Sequence, residues 1–313
     1  MEIFSTVKNT KSFLNFTSLK NTGCMNHPGK DTFFSGKRTL NVRGTLVEIT
    51  APVVMGVINI TPDSFYEGSR YPGVDEALRQ CEKMLSEGAG MIDLGAYSSR
   101  PGAGDITMEE EWQRLKPVLQ AIRSRFPEII ISVDTFRSQV ARNAVLGEGA
   151  DMINDVSGGQ ADEEMYGTMA ELRVPYVMMH MKGTPAIMQQ LAVYNDLMGE
   201  ILDFFMKRTR QLIEMGVHDV IIDPGFGFAK TLDHNYELLH RLDRLRILGL
   251  PVMVGLSRKS MIYKLLGITP AESLNGTTVL NTVALLKGAD ILRVHDVKEA
   301  VETVRILQKL QAF

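Results

Sequence analysis

Four times between residues 87 and 296 the chain repeats one phrase, in which a glycine ends a helix-like stretch and a short polar step leads into an apolar run. The four read EGAGMIDLG (87–95), EGADMINDV (148–156), MGVHDVIIDPG (215–225) and KGADILRVHD (287–296). A glycine there suits the left-handed C-cap that lets a helix stop and turn back into a sheet. The runs that follow are short and apolar on both faces, as parallel strands covered on both faces must be. The same reading along the whole chain predicts eight strands: VVMGVI (53–58), GMIDL (90–94), IIISVD (129–134), DMINDV (151–156), YVMMH (176–180), DVIID (219–223), VMVGL (252–256) and DILRV (290–294). Amphipathic stretches such as GVDEALRQCEKMLSEG and MEEEWQRLKPVLQAIRSRF lie between them, and Pro127 terminates the second.

Eight alternating β and α units match an α/β fold, the (β/α)8 TIM barrel. An open doubly wound sheet is the alternative. It would want a glycine fingerprint after its first strand, which VVMGVINITPDSF lacks, and GFGFAK (225–230) has Lys230 where the third glycine belongs. The alternating stretch RTLNVRGTLVEIT (38–50) turns at Arg43-Gly44 and reads as a β-hairpin closing the bottom of the barrel. Residues 1–37 show no sustained period and only Glu2 and Asp31 as acids, so they read as a poorly ordered N-terminal extension, with a targeting peptide as second choice. The barrel domain is then 38–313.

Composition narrows the class of partner. A formal net charge of -3 over 313 residues gives no electrostatic footprint for nucleic acid. No apolar run approaches the roughly 20 residues that span a bilayer. Cys24 and Cys81 form no CxxC pair and suit a reducing compartment such as the cytoplasm. The six histidines have no HExxH or Cys/His zinc spacing.

The chemistry is expected where the strands end. In a TIM barrel the βα loops share one rim, and active sites collect there. Nearly every predicted strand ends in a polar group: Asn59, Asp93 with Arg100 beyond it, Asp134, Asn154 and Asp155, His180, Asp223, the run Ser257 to Lys259, and Arg293 with His295. Arg100, Arg293 and His295 are cations from loops that meet only at a shared rim, a set that fits a diphosphate. Ser98, Ser99 and Pro101 flank Arg100, and the amide oxygen of Asn59 suits a hard cation such as Mg²⁺. Asp134, Asn154 and Asp223 fit a planar heterocycle with an amidine-like N–H edge, with Lys259 reaching it from the other side, because a buried carboxylate needs a donor. Asp134 is equally well read as the N-cap of the helix begun by DTFRSQV. His180 reads as an ordinary buried, hydrogen-bonded histidine. The long loop NITPDSFYEGSRYPG (59–73), with Phe65 and Tyr66, reads as a lid or as a variable surface loop.

The motifs MGVINITPDSF, SSRPGA, VDTFR, INDVSGG, MHMKGTP, DPGFGFAK, GLSRKS and RVHDV, in that order, resemble those of the dihydropteroate synthases, over essentially all of the chain from about residue 38. The resemblance implies a TIM-barrel transferase that joins 6-hydroxymethyl-7,8-dihydropterin diphosphate to 4-aminobenzoate, with Mg²⁺ assisting, as a homodimer. By motif it implies Asp134, Asn154, Asp223, Lys259 and Arg293 at the pterin. It implies Asn59, Arg100, Arg293 and His295 at the diphosphate and metal, and Phe65, Ser99, Pro101 and Ser257 at the aminobenzoate. Arg100, Asp134, Lys259, Arg293 and His295 would carry catalysis. Two positions depart from the family's commonest pattern: Tyr97-Ser98-Ser99 stands for Glu-Ser-Thr, and Glu67 for an aspartate. A pterin-dependent methyltransferase and a catalytically silent pterin-binding homologue are the alternatives. The methyltransferase would not need the three cations together.

Overall fold

The computed structural model describes residues 39–60, 72–97, 105–185 and 187–310. The expected hairpin comes first: β1 (Thr39–Val42) pairs antiparallel with β2 (Thr45–Glu48), Val42 opposite Thr45. The two turn residues, Arg43 and Gly44, have φ of 51° and 77°. Positive φ at both positions marks a primed turn, whose twist matches that of the paired strands.

Eight strands follow, one in each predicted run: β3 (Val53–Asn59), β4 (Met91–Gly95), β5 (Ile130–Asp134), β6 (Met152–Asp155), β7 (Tyr176–Met179), β8 (Val220–Asp223), β9 (Met253–Val254) and β10 (Ile291–Val294). They are parallel, in the order β8-β7-β6-β5-β4-β3-β10-β9. A parallel bridge between Ile222 and Val252 joins the two ends, so the sheet closes and the open doubly wound alternative falls. Outer helices include α1 (Pro72–Ser86), α2 (Met108–Arg125), α3 (Ser138–Arg142), α4 (Met165–Leu172), α5 (Leu197–Glu214), α6 (Leu232–His240), α7 (Ser260–Leu266), α8 (Leu274–Leu286) and α9 (Val297–Leu310). The four repeat glycines, Gly88, Gly149, Gly216 and Gly288, all have positive φ, between 72° and 101°. The repeated phrase is thus a repeated backbone turn.

Alternation along the strands decides what lines the lumen. Met55, Met91, Ile130, Met152, Val177, Ile221, Met253 and Ile291 form one apolar cluster with Leu40, Val42 and Ile49 of the hairpin segment. The hairpin therefore plugs the end of the barrel where the strands begin, as expected. Arg43 fastens it, donating to the Pro127 and Ile129 carbonyls at 2.8 and 3.2 Å and pairing with the buried Asp151 at 2.8 Å. Side chains two residues further along each strand face the same lumen one layer nearer the C-terminal mouth. That layer contains Asp93, Ser132, Asn154, Met179, Asp223 and Arg293, so the core turns polar as it approaches the rim.

Candidate active site

Arg293 is the centre of the polar layer. Its Nε donates to Asp93 Oδ2 at 2.7 Å and its Nη2 to Asp134 Oδ2 at 2.8 Å. Asn154 Nδ2 donates to the same Asp93 oxygen at 3.1 Å. Asp93 and Asn154 are buried. Burial works against the Arg293 charge, but Asp93 and then Asp134 hold the guanidinium above its usual range. Burial also pushes the Asp134 carboxyl above the usual carboxylate range, Arg293 draws it down and Asp93 pushes it up again. Asp134 does not cap the next helix: α3 has Arg137 at its N-cap position and no side-chain cap.

The second half of the layer comes from β8 and the two loops beside it. The buried Asp223 accepts from the Gly225 N–H at 2.8 Å. Burial raises its carboxyl and the Lys259 ammonium opposes the rise. Lys259 Nζ donates to the Phe226 carbonyl and lies 5.0 Å from the centre of the Phe228 ring. Burial lowers its ammonium to about 8, against the pull of Asp223. The loop itself is tightly wound: a Cβ on Gly225, whose φ is 71°, would fall 2.1 Å from the His180 carbonyl oxygen. Only glycine fits such an approach.

Lys230 holds that loop from beneath. Its buried ammonium contacts the carbonyls of Gly225 and Phe228 at 3.0 and 3.1 Å and His180 Nδ1 at 3.1 Å. All three contacts are of hydrogen-bond length. Burial brings this ammonium down to about 7, with Asp223 resisting. His180 is buried, as the sequence suggested, and packs edge-on against Phe204 with ring centroids 4.9 Å apart. The lysine that spoils a dinucleotide fingerprint in the sequence is a structural post of this loop. Asp155 is likewise architectural: it accepts from Ser157 N and Oγ at 2.7 Å, from Gly159 N at 2.8 Å and from Tyr176 Oη at 2.6 Å.

At the rim, His295 and Ser257 adjoin. Both the backbone N–H and Nδ1 of His295 lie 3.3 Å from Ser257 Oγ. Asn59 ends β3 with its side chain exposed. Among the described residues there is no group of three or more His, Cys, Asp or Glu that could hold a metal ion by itself. Phe65, Ser98, Ser99, Arg100 and Pro101 lie outside the described residues.

The structure thus brings Asp134, Asn154, Asp223, Lys259 and Arg293 together at one mouth, with Ser257 and His295 at its edge. Sequence reasoning placed Asp93 among the polar strand ends but assigned it no partner, and it gave Lys230 no role. For Asp93 a signal existed: Met91 and Gly95 flank it at two-residue spacing in a strand that must face the lumen. For Lys230 none did, because its acceptors are backbone carbonyls and a histidine 50 residues away.

This arrangement can bind a flat hydrogen-bonding ring among buried carboxylates and an anion among cations beside it. Comparisons with known proteins point the same way. The family described as "Pterin binding enzyme" matches residues 55–295. The dihydropteroate synthase of Escherichia coli (strain K12) is 41% identical over 271 residues, covering 86% of this chain and 95% of that protein. Among solved structures, Yersinia pestis dihydropteroate synthase in a sulfonamide drug complex superposes with a TM-score of 0.82 at 39% identity, covering 88% of this chain and 100% of that one. Xanthomonas albilineans dihydropteroate synthase with 4-aminobenzoic acid gives 0.81 at 36% identity, covering 88% and 99%. The chain belongs to the pterin-binding enzyme family, among the dihydropteroate synthases: transferases that join the dihydropterin methylene of 6-hydroxymethyl-7,8-dihydropterin diphosphate to the amine of 4-aminobenzoate and release diphosphate.

Proposed function

We propose that this mouth divides the reaction between an acid-lined slot and a cationic rim. Asp134, Asn154 and Asp223 hold the N–H edge of the dihydropterin, and Lys259 meets it from the other side. Arg293 lies beside the ring. Its Nε and Nη2 are committed to carboxylates, so Nη1 is the edge an anion meets. Arg100, Arg293 and His295 bind the diphosphate. Asn59 would offer its amide oxygen to Mg²⁺, and the ion when bound would supply charge neutralisation to the diphosphate. Ser257 with Phe65, Ser99 and Pro101 seats the aminobenzoate.

Chemistry follows from where charge moves. As the C–O bond to diphosphate breaks, negative charge grows on the leaving group, and cations already held in place lower that barrier most. Positive charge on the methylene spreads into the electron-rich ring, which the neighbouring carboxylates favour. The arylamine attacks as a neutral nucleophile and needs alignment more than a strong base. The observation that carries this reading is the Arg293 bridge between Asp93 and Asp134, which holds one cation beside the carboxylates assigned to the pterin. Purified chain mixed with the pterin diphosphate, 4-aminobenzoate and Mg²⁺ should release diphosphate only when the amine is present. Release at the same rate without amine would overturn the assignment.

A homodimer formed through α8 completes the proposal. That helix, LNGTTVLNTVALL, has no charged residue, yet Val279 and Leu286 are 53% and 64% exposed. Uncharged exposed apolar faces of this kind mark interaction sites. A reducing cytoplasm suits Cys81, which is a buried free thiol. Among the described residues no helix is long and apolar enough to cross a membrane.

A further inference from the structure

Arg258 stands between two residues of the mouth, Ser257 and Lys259, but its own side chain runs to Asp296 and to residues 270–271. The guanidinium forks onto Asp296, with Nε donating to Oδ2 and Nη2 to Oδ1, each at 2.9 Å. Nη1 donates to the carbonyls of Pro270 and Ala271 at 3.0 and 2.6 Å. The Arg258 backbone N–H donates to Thr277 Oγ1 at 3.0 Å. All three guanidinium nitrogens are committed, and the residue has φ of 53°. A non-glycine residue keeps that left-handed backbone only when its surroundings hold it there.

The consequence lies on either side of the pair. The left-handed turn at Arg258 separates the directions of Ser257, whose Oγ reaches His295, and Lys259, whose Nζ reaches the Phe226 carbonyl. Asp296 directly follows His295. One ion pair therefore joins the loop after β9 to the loop after β10 at the point where each presents its polar side chains.

We propose that Arg258 is a positioning residue: through its fork on Asp296 it sets the Ser257–His295 pair and aims Lys259, without touching substrate itself. The inference rests on the reading of His295 as an anion ligand. Lysine cannot replace the fork, because a single ammonium offers one point of charge where the guanidinium offers a plane of donors in fixed directions.

The test uses Arg258→Lys and Asp296→Asn in the full chain, which break the pair from its two sides. Three quantities are read: thermal unfolding, the His295 imidazole signals in the ligand-free protein, and calorimetric binding of inorganic diphosphate with Mg²⁺. Both variants should unfold cooperatively, shift the His295 signals, and bind diphosphate roughly 10- to 100-fold more weakly, as expected for small misplacements of binding groups. Unchanged His295 signals together with parental diphosphate affinity overturn the inference, as does loss of the folded state in both variants, which makes the pair a folding contact only. If the parent chain does not bind diphosphate, the anion-ligand reading fails on its own account. The His295 signals then decide the positioning role, a shift upholding it and no shift overturning it.

Discussion

Arg293 Nε and Asp93 Oδ2 are 2.7 Å apart in the lumen and 200 residues apart in the chain. Asp93 accepts from Asn154 through the same oxygen, so a single buried carboxylate ties β4, β6 and β10 together. Replacing it with alanine leaves a partly buried guanidinium with only Asp134 and an amide with no acceptor. Asp93→Ala should lose about 3 kcal/mol of stability, the scale of a broken buried pair, and should weaken pterin binding. Urea unfolding and a pterin titration check both, and an unchanged midpoint would show that the lumen tolerates the vacancy.

Arg293→Ala should damage two subsites at once. Turnover should fall at least 100-fold, on the order expected for removal of a preorganised charge-stabilising group, and the KM for the pterin diphosphate should rise. Steady-state kinetics with each substrate varied gives the answer. Full turnover in this variant would refute the role assigned to Arg293.

His180 supplies a pH dependence. Burial, then the charges of Lys230 and Lys182, hold its imidazole down to about 2, against 6.5 ordinarily. The unfolded chain therefore takes up a proton below about pH 6.5 that the folded chain refuses, so acidification favours unfolding. Between about pH 6.5 and 5 this should amount to about 2 kcal/mol. His180→Gln should lack that part of the slope, so the stability gap between parent and variant should narrow as pH falls. Parallel pH curves for the two proteins would contradict it.

The hairpin turn tests whether stability and catalysis occupy opposite ends. Gly44 has φ of 77°, and a Cβ there would meet nothing within 4 Å, so Gly44→Ala isolates the backbone cost. It should destabilise the chain by about 1–2 kcal/mol, the penalty for a left-handed non-glycine residue. KM values should not move, since the turn belongs to the plugged end. A melting curve and one set of kinetics suffice, and a changed KM would mean that the two ends are coupled.

Leu286→Glu should split the proposed dimer. The substitution puts a charge at the C-terminal end of an uncharged face while leaving the barrel side of α8, Leu280 and Ala284 among it, untouched. Sedimentation equilibrium should show a dimer for the parent and a monomer for the variant. A parent that sediments as a monomer would remove α8 from consideration.

The strands and the hairpin were legible because their signals are local. A glycine that ends a helix, the alternation of residues 38–50 and the turn at Arg43-Gly44 each depend on a few neighbouring residues, and each appears in the structure at the expected place. The same logic places Asp134, Asn154, Asp223, Lys259 and Arg293 at one rim, since strand ends of a closed barrel must share it. What a given side chain does at that rim was not local. Asp134 could equally have capped a helix, and only the approach of Arg293 from 159 residues away commits it to the lumen. Asp93 and Lys230 acquire meaning solely from partners that barrel closure brings within hydrogen-bonding reach. Periodicity fixes which way a side chain points; closure of the sheet determines which group it meets, because that contact energy exists only once distant strands are held together.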